Sequence, residues 1–214
     1  METSAYRRIN RQVARFFDER AEGWDDCVSP QHTKRLAGIV AELDIPRGAC
    51  IVDVGSGTGV LIPFLRDKIG PAGRIIAMDL SPAMIRAAKN RRCACRPLPL
   101  VADALDLPLC AACADCICCN SVFPHFHDQA RAVAELARAL RFGGRLVVCH
   151  TQSRAAINAF HRKVGGVVGG DEIPDDAAMR RIIRAAGLRI IRLEDREDRY
   201  LMIAEKPLSE ATEQ

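Results

Sequence analysis

The sequence predicts an α/β fold in which a mostly parallel sheet carries helices on both faces. Apolar, strand-like runs alternate along the 214 residues with helix-like segments, and turns that contain glycine separate them. Hydrophobic residues make up 49% of the chain, which is enough to bury a sizeable core. The chain contains neither an internal repeat nor a low-complexity tract. We therefore expect one domain over residues 1–214.

The strongest local signal is a buried strand that runs into a glycine-rich turn. Residues 51–54 are apolar except for Asp53, a pattern typical of a central parallel strand. Gly55, Gly57 and Gly59 follow, and glycine lets the backbone turn tightly and approach a ligand without a Cβ in the way. The segment therefore predicts a nucleotide-type cofactor site.

The spacing of these glycines argues against a dinucleotide site. The fingerprint G-x-G-x-x-G, begun at Gly55, needs a third glycine at position 60, and the chain has Val60 there. Begun at Gly57 it fails as well, because no glycine stands three residues after Gly59. An NAD-dependent oxidoreductase is therefore the weaker alternative.

A helix and a second strand follow the turn at the spacing of a nucleotide-binding unit. The helix is predicted over 60–69 and ends in a Gly-Pro-Ala-Gly turn. The strand over 74–78 delivers Asp79 at its carboxyl end, 20 positions after Gly59 (79 − 59). An acidic residue at this point can accept hydrogen bonds from ribose hydroxyls.

The rest of the chain continues the alternation. A double glycine, Gly143-Gly144, precedes one of the later strands, and a charged turn separates the last two. Further strands are predicted over 98–101, 115–119, 145–149, 188–194 and 200–205, and further helices over 30–43, 128–140, 154–164 and 174–186.

Several of these motifs resemble those of the class I S-adenosylmethionine (SAM) dependent methyltransferases. Asp53 with its three glycines resembles their motif of an acidic residue followed by G-x-G-x-G. Residues 102–104 resemble their third motif, and the Gly143-Gly144 turn resembles the approach to their fifth strand. Residues 16–25 resemble the lid of members that act on small molecules. The resemblance runs from Phe16 to Lys206 and is strongest to the ubiquinone/menaquinone-biosynthesis-like methyltransferases.

This resemblance implies a Rossmann-like, seven-stranded and mostly parallel sheet with an antiparallel last strand. It divides the domain into an N-terminal helical lid (1–45), a Rossmann-like core (46–206) and a tail (207–214). It also implies SAM as cofactor and S-adenosylhomocysteine as product. The carboxylate of Asp103 and the amide of Ala104 would read the adenine edge, with Asp106 as a less favoured alternative. The predicted cofactor-binding residues are Asp53, Gly55, Ser56, Gly57, Gly59, Asp79, Leu80, Asp103, Ala104 and Asn120.

Histidines gather where the acceptor side of the site is expected. Ligands of such sheets bind above the carboxyl ends of the strands, and His125, His127 and His150 follow the fourth and fifth strands. On the helix over 154–164, His161 shares a polar stripe with two other residues at i, i+4, i+7. We predict that His125 and His150 are catalytic and that the substrate-binding residues are Trp24, His127, Arg154, Asn158 and His161.

Two chemical roles are open for these histidines, besides simple packing. Imidazoles that converge on one site can remove a proton from the acceptor as general bases. They can also hold a metal ion. Both roles are carried forward as alternatives, and the identity of any metal is unknown.

The predicted function is methyl transfer from SAM to a small-molecule acceptor. The net charge is only +4, without a basic stripe, and Arg91-Arg92 is interpreted as a solvated helix end, so nucleic acid is not an expected partner. Asn120 also lacks the Pro-Pro-aromatic continuation of enzymes that methylate adenine or glutamine nitrogen. The alternatives are a SAM-binding or histidine-metal protein on the same scaffold, and a doubly wound domain that binds no SAM.

Two further properties concern where the protein acts. The N-terminus is polar, and no window holds about 18 uncharged apolar residues, so we expect a cytoplasmic protein without a membrane span. The oligomeric state and the accepting atom are left open.

Ten cysteines raise the question of a metal cluster. Register argues against it, because side chains alternate between the two faces of a strand and part of the cysteine set precedes the strand as a loop. We expect buried thiols in a reducing compartment. The spacing that suggests a cluster is carried by Cys110, Cys113 and Cys116, with Cys118 and Cys119 behind them and Cys93 and Cys95 before them.

After anaerobic purification, the protein is expected to contain neither iron nor acid-labile sulfide. The reason is the register of Cys116, Cys118 and Cys119, whose thiols cannot converge on one cluster from successive positions of a strand. Elemental analysis checks this. About four irons per chain, as a four-iron cluster requires, would overturn the interpretation.

Overall fold

The computed structural model of the protein describes residues 2–91 and 96–208, except for the side chains of residues 2–5 and 7. Arg92, Cys93, Cys95 and the last part of the predicted tail, 209–214, lie outside these residues. None of the helices in the described ranges has the length and apolar content needed to span a membrane.

Helices and strands alternate through most of the described chain. Three short 3-10 turns, Trp24–Cys27, Phe123–His125 and Gly166–Val168, lie between them. The helices are α1 (Glu2–Asp18), α2 (Pro30–Glu42), α3 (Ile62–Ile69), α4 (Pro82–Asn90), α5 (Gln129–Ala139), α6 (Arg154–Val164) and α7 (Asp176–Ala185). The strands are β1 (Cys50–Val54), β2 (Arg74–Asp79), β3 (Leu98–Val101), β4 (Ala114–Asn120), β5 (Leu140–His150), β6 (Arg189–Arg196) and β7 (Arg199–Glu205).

One sheet joins all seven strands in the order β3-β2-β1-β4-β5-β7-β6. Strands β1 to β5 pair in parallel, and β7 is antiparallel to both β5 and β6. The predicted seven-stranded, mostly parallel sheet with an antiparallel last strand is therefore confirmed. The strand order reverses between β1 and β4, and a sheet of this kind opens a ligand crevice at the carboxyl ends of such strands.

Each face of the sheet carries its own core. Along β1, Val52 and Val54 belong to one core and Ile51 to the other, as the alternation of side chains in a strand requires. The first core includes residues of α5 and α7, and the second includes residues of α2 and α3. The central strands are buried on both faces, which explains their nearly continuous apolar sequences.

The free edge at β3 differs from the centre of the sheet. This strand has only four residues, and its Leu98 and Val101 side chains are exposed. Its second residue, Pro99, lies opposite Ala77 of β2 and carries no backbone N–H. The edge strand is therefore short and has few backbone N–H donors with which another strand could pair.

The start of strand β5 was predicted too late, because its first part pairs irregularly with β4 and lacks a regular strand pattern. The strand begins at Leu140, and its pairing with β4 shifts register between Ala114 and Cys116. Gly144 fits this irregular stretch because a Cβ there would lie 2.8 Å from the Arg141 carbonyl oxygen. The predicted strand over 145–149 is the part that follows the irregularity.

Other boundaries differ from the prediction as well. Helix α3 begins at Ile62 rather than at position 60. Helix α7 begins at Asp176, because the Asp175 side chain caps it by accepting a hydrogen bond from the Ala178 amide. The charged turn before β7 is shorter than predicted, since the ladder of the last hairpin continues to the pair Arg196 and Arg199.

The N-terminal 45 residues do not form one lid. Helix α2 belongs to the core, where Leu36, Ile39 and Val40 are buried against the sheet. Helix α1, which was not individually predicted, lies instead beside Asp103, which was predicted to bind the cofactor. Its Asp18 carboxylate accepts hydrogen bonds from the Ser81 hydroxyl and the Ala83 amide at the start of α4. The predicted lid is therefore reduced to α1 and the short turn at Trp24–Cys27.

The cysteines of β4 divide between the two cores. Cys116 and Cys118 lie on one face, where their sulfur atoms are 3.8 Å apart, and Cys119 lies on the other. Across the described ranges, no three His, Cys, Asp or Glu side chains are grouped so that they could hold a metal ion.

Burial predicts which thiols react with an alkylating agent. Burial raises the pKa of Cys119 well above its ordinary range and that of Cys149 to about 12. Cys27 and Cys110 are exposed. Because the thiolate is the reactive form, iodoacetamide should modify the exposed pair long before the buried pair, as followed for each residue by mass spectrometry. Urea should abolish the difference, and equal rates in the native protein would contradict this assignment.

Candidate cofactor and acceptor site

The glycine-rich turn after β1 combines tight packing with one open position. Gly55 and Gly57 have φ angles of 64° and 54°, a region that side chains other than glycine rarely adopt. A Cβ at Gly55 would lie 2.3 Å from a methyl carbon of Val122. A Cβ at Gly57 would have only one neighbour within 4 Å in the described chain, the indole nitrogen of Trp24 at 3.9 Å. The approach to Gly57 is therefore free of described atoms except for the Trp24 indole.

The Asp79 carboxylate at the end of β2 holds this turn in place. One oxygen accepts a hydrogen bond from the Gly57 amide, and the other accepts one from the Ser81 amide, both at 2.9 Å. Burial raises the pKa of Asp79, and the backbone hydrogen bonds oppose that rise. An ionised carboxylate can accept about four hydrogen bonds, so acceptor capacity is left for ribose hydroxyls. The next residue, Leu80, is also among the predicted cofactor-binding residues.

Two polar side chains beneath the turn lack partners in the described chain. Asp53 and Ser56 are buried, and neither the Asp53 carboxylate nor the Ser56 hydroxyl forms a hydrogen bond. Burial, and secondly the charge of Asp79, raises the pKa of Asp53 to about 8. Buried polar atoms ordinarily have partners. Next to an open position over Gly57, these groups fit a ligand that brings its own hydrogen-bonding groups, as SAM does.

Helix α1 covers the predicted adenine end of the site. The Tyr6 hydroxyl and the Asn10 side-chain amide both donate to one oxygen of Asp103, and the Leu105 amide donates to the other at 3.0 Å. Burial, with the bond to Asp103, raises the pKa of Tyr6 to about 12. Ala104 is buried beside this carboxylate. Tyr6 and Asn10 were not predicted, although their spacing of four residues places them on one helix face.

An ion pair holds the turn that carries Trp24. Arg91 donates to the Asp25 carboxylate at 2.5 Å and to the Thr58 carbonyl oxygen at 2.8 Å. The interpretation of Arg91 as a solvated helix end was wrong, because its side chain joins the lid to the glycine-rich turn. Trp24 itself packs edge-on against Phe17 of α1, with ring centroids 5.6 Å apart.

His125 lies next to a carboxylate that the sequence did not single out. Its Nδ1 is 2.6 Å from a carboxylate oxygen of Asp171, and its ring centroid is 4.9 Å from that of His161. The Nδ1 of His161 is 2.8 Å from the backbone carbonyl oxygen of Asp171. Burial lowers the pKa of His161, and its bond to that carbonyl partly opposes the change. One aspartate thus contacts both imidazoles.

His150 has a different environment. It is the last residue of β5, only 1% exposed, and neither ring nitrogen has a partner in the described chain. Burial, reinforced by the nearby His125, His161 and His32, lowers the pKa of His150 to about 3. The imidazole is neutral at physiological pH. The predicted role of His150 as a base is not supported, because a group this weakly basic and this buried is a poor proton acceptor.

His127, predicted to bind the substrate, and Asn120, predicted to bind the cofactor, both follow or end strand β4. His127 is exposed and packs against the Tyr6 ring at 4.7 Å, away from His125. Asn120 ends β4 and is buried, and the following Ser121 has a positive φ of 57°. His32 was missed by the sequence analysis. Its Nδ1 lies 2.8 Å from the Thr151 hydroxyl, directly after β5.

The other two residues of the polar stripe of α6, Arg154 and Asn158, contact other parts of the protein. Asn158 and Ile173 form two reciprocal hydrogen bonds, of 3.0 Å and 2.9 Å. Arg154 pairs with Asp176 at 3.1 Å and with Asp195 at 3.5 Å. Both side chains are thus engaged by internal partners, and the contact of Arg154 and Asn158 with an acceptor stays a prediction. The stripe holds the segment that carries Asp171.

Comparison with known proteins agrees with this geometry. A family profile described as a methyltransferase domain matches residues 52–148. A malonyl-[acyl-carrier protein] O-methyltransferase of Methylococcus capsulatus is 30% identical over 87% of this chain and 69% of its own length. A demethylmenaquinone methyltransferase of Thermobifida fusca is 33% identical over 65% of this chain and 61% of its own. A SAM-dependent methyltransferase structure from Aquifex aeolicus superposes with a TM-score of 0.71 at 20% identity, covering 87% of this chain and 97% of its own.

The chain spans less than two thirds of the length of several curated relatives that it matches. The family profile nevertheless includes the glycine-rich turn, Asp79 and residues 102–104. By sequence, sheet topology and the arrangement of the turn, the chain belongs to the class I SAM-dependent methyltransferases.

Proposed function

We propose that this protein transfers the methyl group of SAM to a small-molecule acceptor. The observation that carries the proposal is the position above Gly57, where a Cβ would meet no described atom within 4 Å except the Trp24 indole nitrogen. The same turn is anchored by the Asp79 carboxylate and follows the buried Asp53 side chain, which has no hydrogen-bond partner in the described chain. A turn of this shape in a methyltransferase fold is suited to SAM. A SAM-binding protein without turnover, and an NAD-dependent oxidoreductase, are the competing functions that the binding experiment below separates.

The class of acceptor is proposed from chemistry and from relatives. The relatives include enzymes named for a malonyl group on a carrier protein and for a demethylmenaquinone, so their names agree on methyl transfer and differ in acceptor. We infer a small acceptor rather than nucleic acid.

We also propose that residues 1–214 act as one domain and that the protein works in a reducing, cytoplasmic environment. Buried free thiols such as those of Cys118 and Cys149 support the inference about the environment.

The chain's own residues would act in three places. Asp79, Leu80, Asp103 and Ala104 would bind the nucleoside part of SAM, while the 55–59 turn and Asp53 would bind its amino-acid part. Trp24 and Phe17 would exclude water from the crevice, and His125 would face the acceptor. When bound, SAM supplies a methyl group on a positively charged sulfur. Holding two reactants in line accounts for much of the acceleration in such a reaction.

The histidines support a base more than a metal. His125 has a carboxylate partner at 2.6 Å, the arrangement that orients an imidazole for proton transfer. The metal alternative lacks a set of three suitable ligands among residues 2–91 and 96–208. His150 would serve as a neutral wall of the acceptor pocket.

SAM affinity should depend on Asp79 and Gly57. Asp79→Ala removes the acceptor of two backbone amides and is expected to weaken SAM binding by about 1 to 3 kcal/mol. Gly57→Val fills the open position and should abolish binding. Isothermal titration calorimetry with SAM, S-adenosylhomocysteine and NADH measures both effects. Asp67→Ala, on the exposed face of α3, and Gly38→Val, where a Cβ meets no neighbour within 4 Å, are the matched controls.

Unchanged SAM affinity in both site variants would refute the cofactor assignment. Binding of NADH with no response to SAM would favour the oxidoreductase. If SAM binds, an acceptor screen with radiolabelled methyl groups tests turnover, and a complete absence of transfer over a broad set of small nucleophiles would favour the non-catalytic alternative.

Turnover should depend on His125 more than on His150. His125→Ala is expected to lower turnover by about 10²- to 10⁴-fold while SAM affinity stays within about twofold, because a positioned base contributes in that range. His150→Ala should chiefly lower thermal stability. Assays with and without a chelator separate the metal alternative. Normal turnover of His125→Ala would exclude the base, and activity lost to chelator and restored by metal would favour a metal site.

A further inference from the structure

We propose that Asp171 is a positioning residue that fixes His125 as the base for an acceptor that must lose a proton, such as a hydroxyl-bearing nucleophile. This inference rests on the proposed function. Its structural basis is one residue that contacts two imidazoles through two different oxygens.

The contact between Asp171 and His125 determines which ring nitrogen carries the proton. An ionised carboxylate only accepts hydrogen bonds, so the Nδ1 of His125, 2.6 Å from the Asp171 oxygen, is the donor. In the neutral ring the lone pair then lies on Nε2. Both side chains are mostly buried, with 12% of His125 and 21% of Asp171 exposed, so the bond is shielded from competition by water.

His161 packs beside His125 and is fixed in the same way. Its Nδ1 donates to the Asp171 carbonyl at 2.8 Å, and the two ring centroids are 4.9 Å apart. Phe17 also packs edge-on against His125, with ring centroids 5.2 Å apart. These two ring contacts restrict rotation of the His125 ring, and a rigid base needs less reorganisation during proton transfer.

The backbone between α6 and α7 places Asp171 beside His125 and His161. Gly165 and Gly166 have φ angles of 66° and 61°, which reverse the chain after α6. Two reciprocal hydrogen bonds between Asn158 and Ile173 then fix the backbone two residues beyond Asp171. The polar stripe of α6 therefore positions Asp171, which in turn positions His125.

The proton transfer can be written so that charge and atoms balance. The acceptor O–H bond breaks, its proton forms a bond to Nε2 of His125, and the electron pair stays on the oxygen. That oxygen takes the methyl group, and the electrons of the broken carbon–sulfur bond remain on sulfur. The imidazolium is held by the negative charge of Asp171 until solvent takes the proton. No oxidant, reductant or metal is required.

The proposal is tested by the tautomer of His125 in the full chain labelled with ¹⁵N-histidine. Two-bond ¹H–¹⁵N spectra at slightly alkaline pH should show Nδ1 protonated and Nε2 unprotonated in the native protein. Asp171→Leu should shift His125 toward the Nε2–H form. Asp171→Asn, which keeps an oxygen acceptor, should largely retain the native tautomer. Glu172→Gln, whose side chain pairs only with Arg162 on the surface, is the control.

Turnover provides the second readout, with the acceptor found in the labelled-methyl screen. Asp171→Leu should lower kcat by roughly 10- to 100-fold, part of the gain that a positioned base supplies, with the KM for SAM unchanged, and Asp171→Asn should recover part of the loss. Circular dichroism establishes that each variant is folded.

Two results would overturn the proposal. One is an Nε2–H tautomer of His125 in the native protein, or an unchanged tautomer in folded Asp171→Leu. The other is stoichiometric metal bound through these histidines. Failure of the proposed function is distinguishable from both, because it shows as absent SAM binding whatever the tautomer of His125.

Discussion

The hydrogen bond from the Gly57 amide to the Asp79 carboxylate connects the parts of the site that come from different strands. Gly57 follows β1 and Asp79 ends β2, so this bond joins the carboxyl ends of two parallel strands. The second Asp79 oxygen receives the amide of Ser81, whose hydroxyl in turn donates to Asp18 of the lid. The Asp79 carboxylate therefore fixes the positions of the glycine-rich turn and of the start of α4. Through the Ser81 hydroxyl, the start of α4 also holds the end of α1.

The same edge of the sheet concentrates buried polar groups without partners in the described chain. They come from the ends of β1 and β5 and from the beginning of β7, and they are Asp53, Ser56, His150 and the Tyr200 hydroxyl. Each such group costs about 1 to 3 kcal/mol of stability. The two apolar cores must offset that cost. These groups therefore lower the stability of the fold at the edge of the sheet that carries the candidate site, as is common for functional sites.

The sequence predicted what depends on neighbouring residues and missed what depends on distant ones. The glycine-rich turn, Asp79 and the seven strands have local patterns of periodicity and spacing that can be read from short windows. The contact of Tyr6 with Asp103 spans 97 residues, and that of His125 with Asp171 spans 46. Neither has a local signature. The helical stripe of Arg154 and Asn158 was recognised correctly as polar, but periodicity does not tell which neighbour a stripe faces.

The short edge strand β3 has a consequence for the aggregation of the folded protein. Sheets whose outer strands are long, flat and rich in N–H groups recruit strands from other chains and seed aggregates. Here the outermost strand has four residues and a proline, Pro99, which leaves a gap in the row of donors that another chain would need. The apolar Leu98 and Val101 can thus stay exposed at this edge with a reduced tendency to start a cross-β assembly.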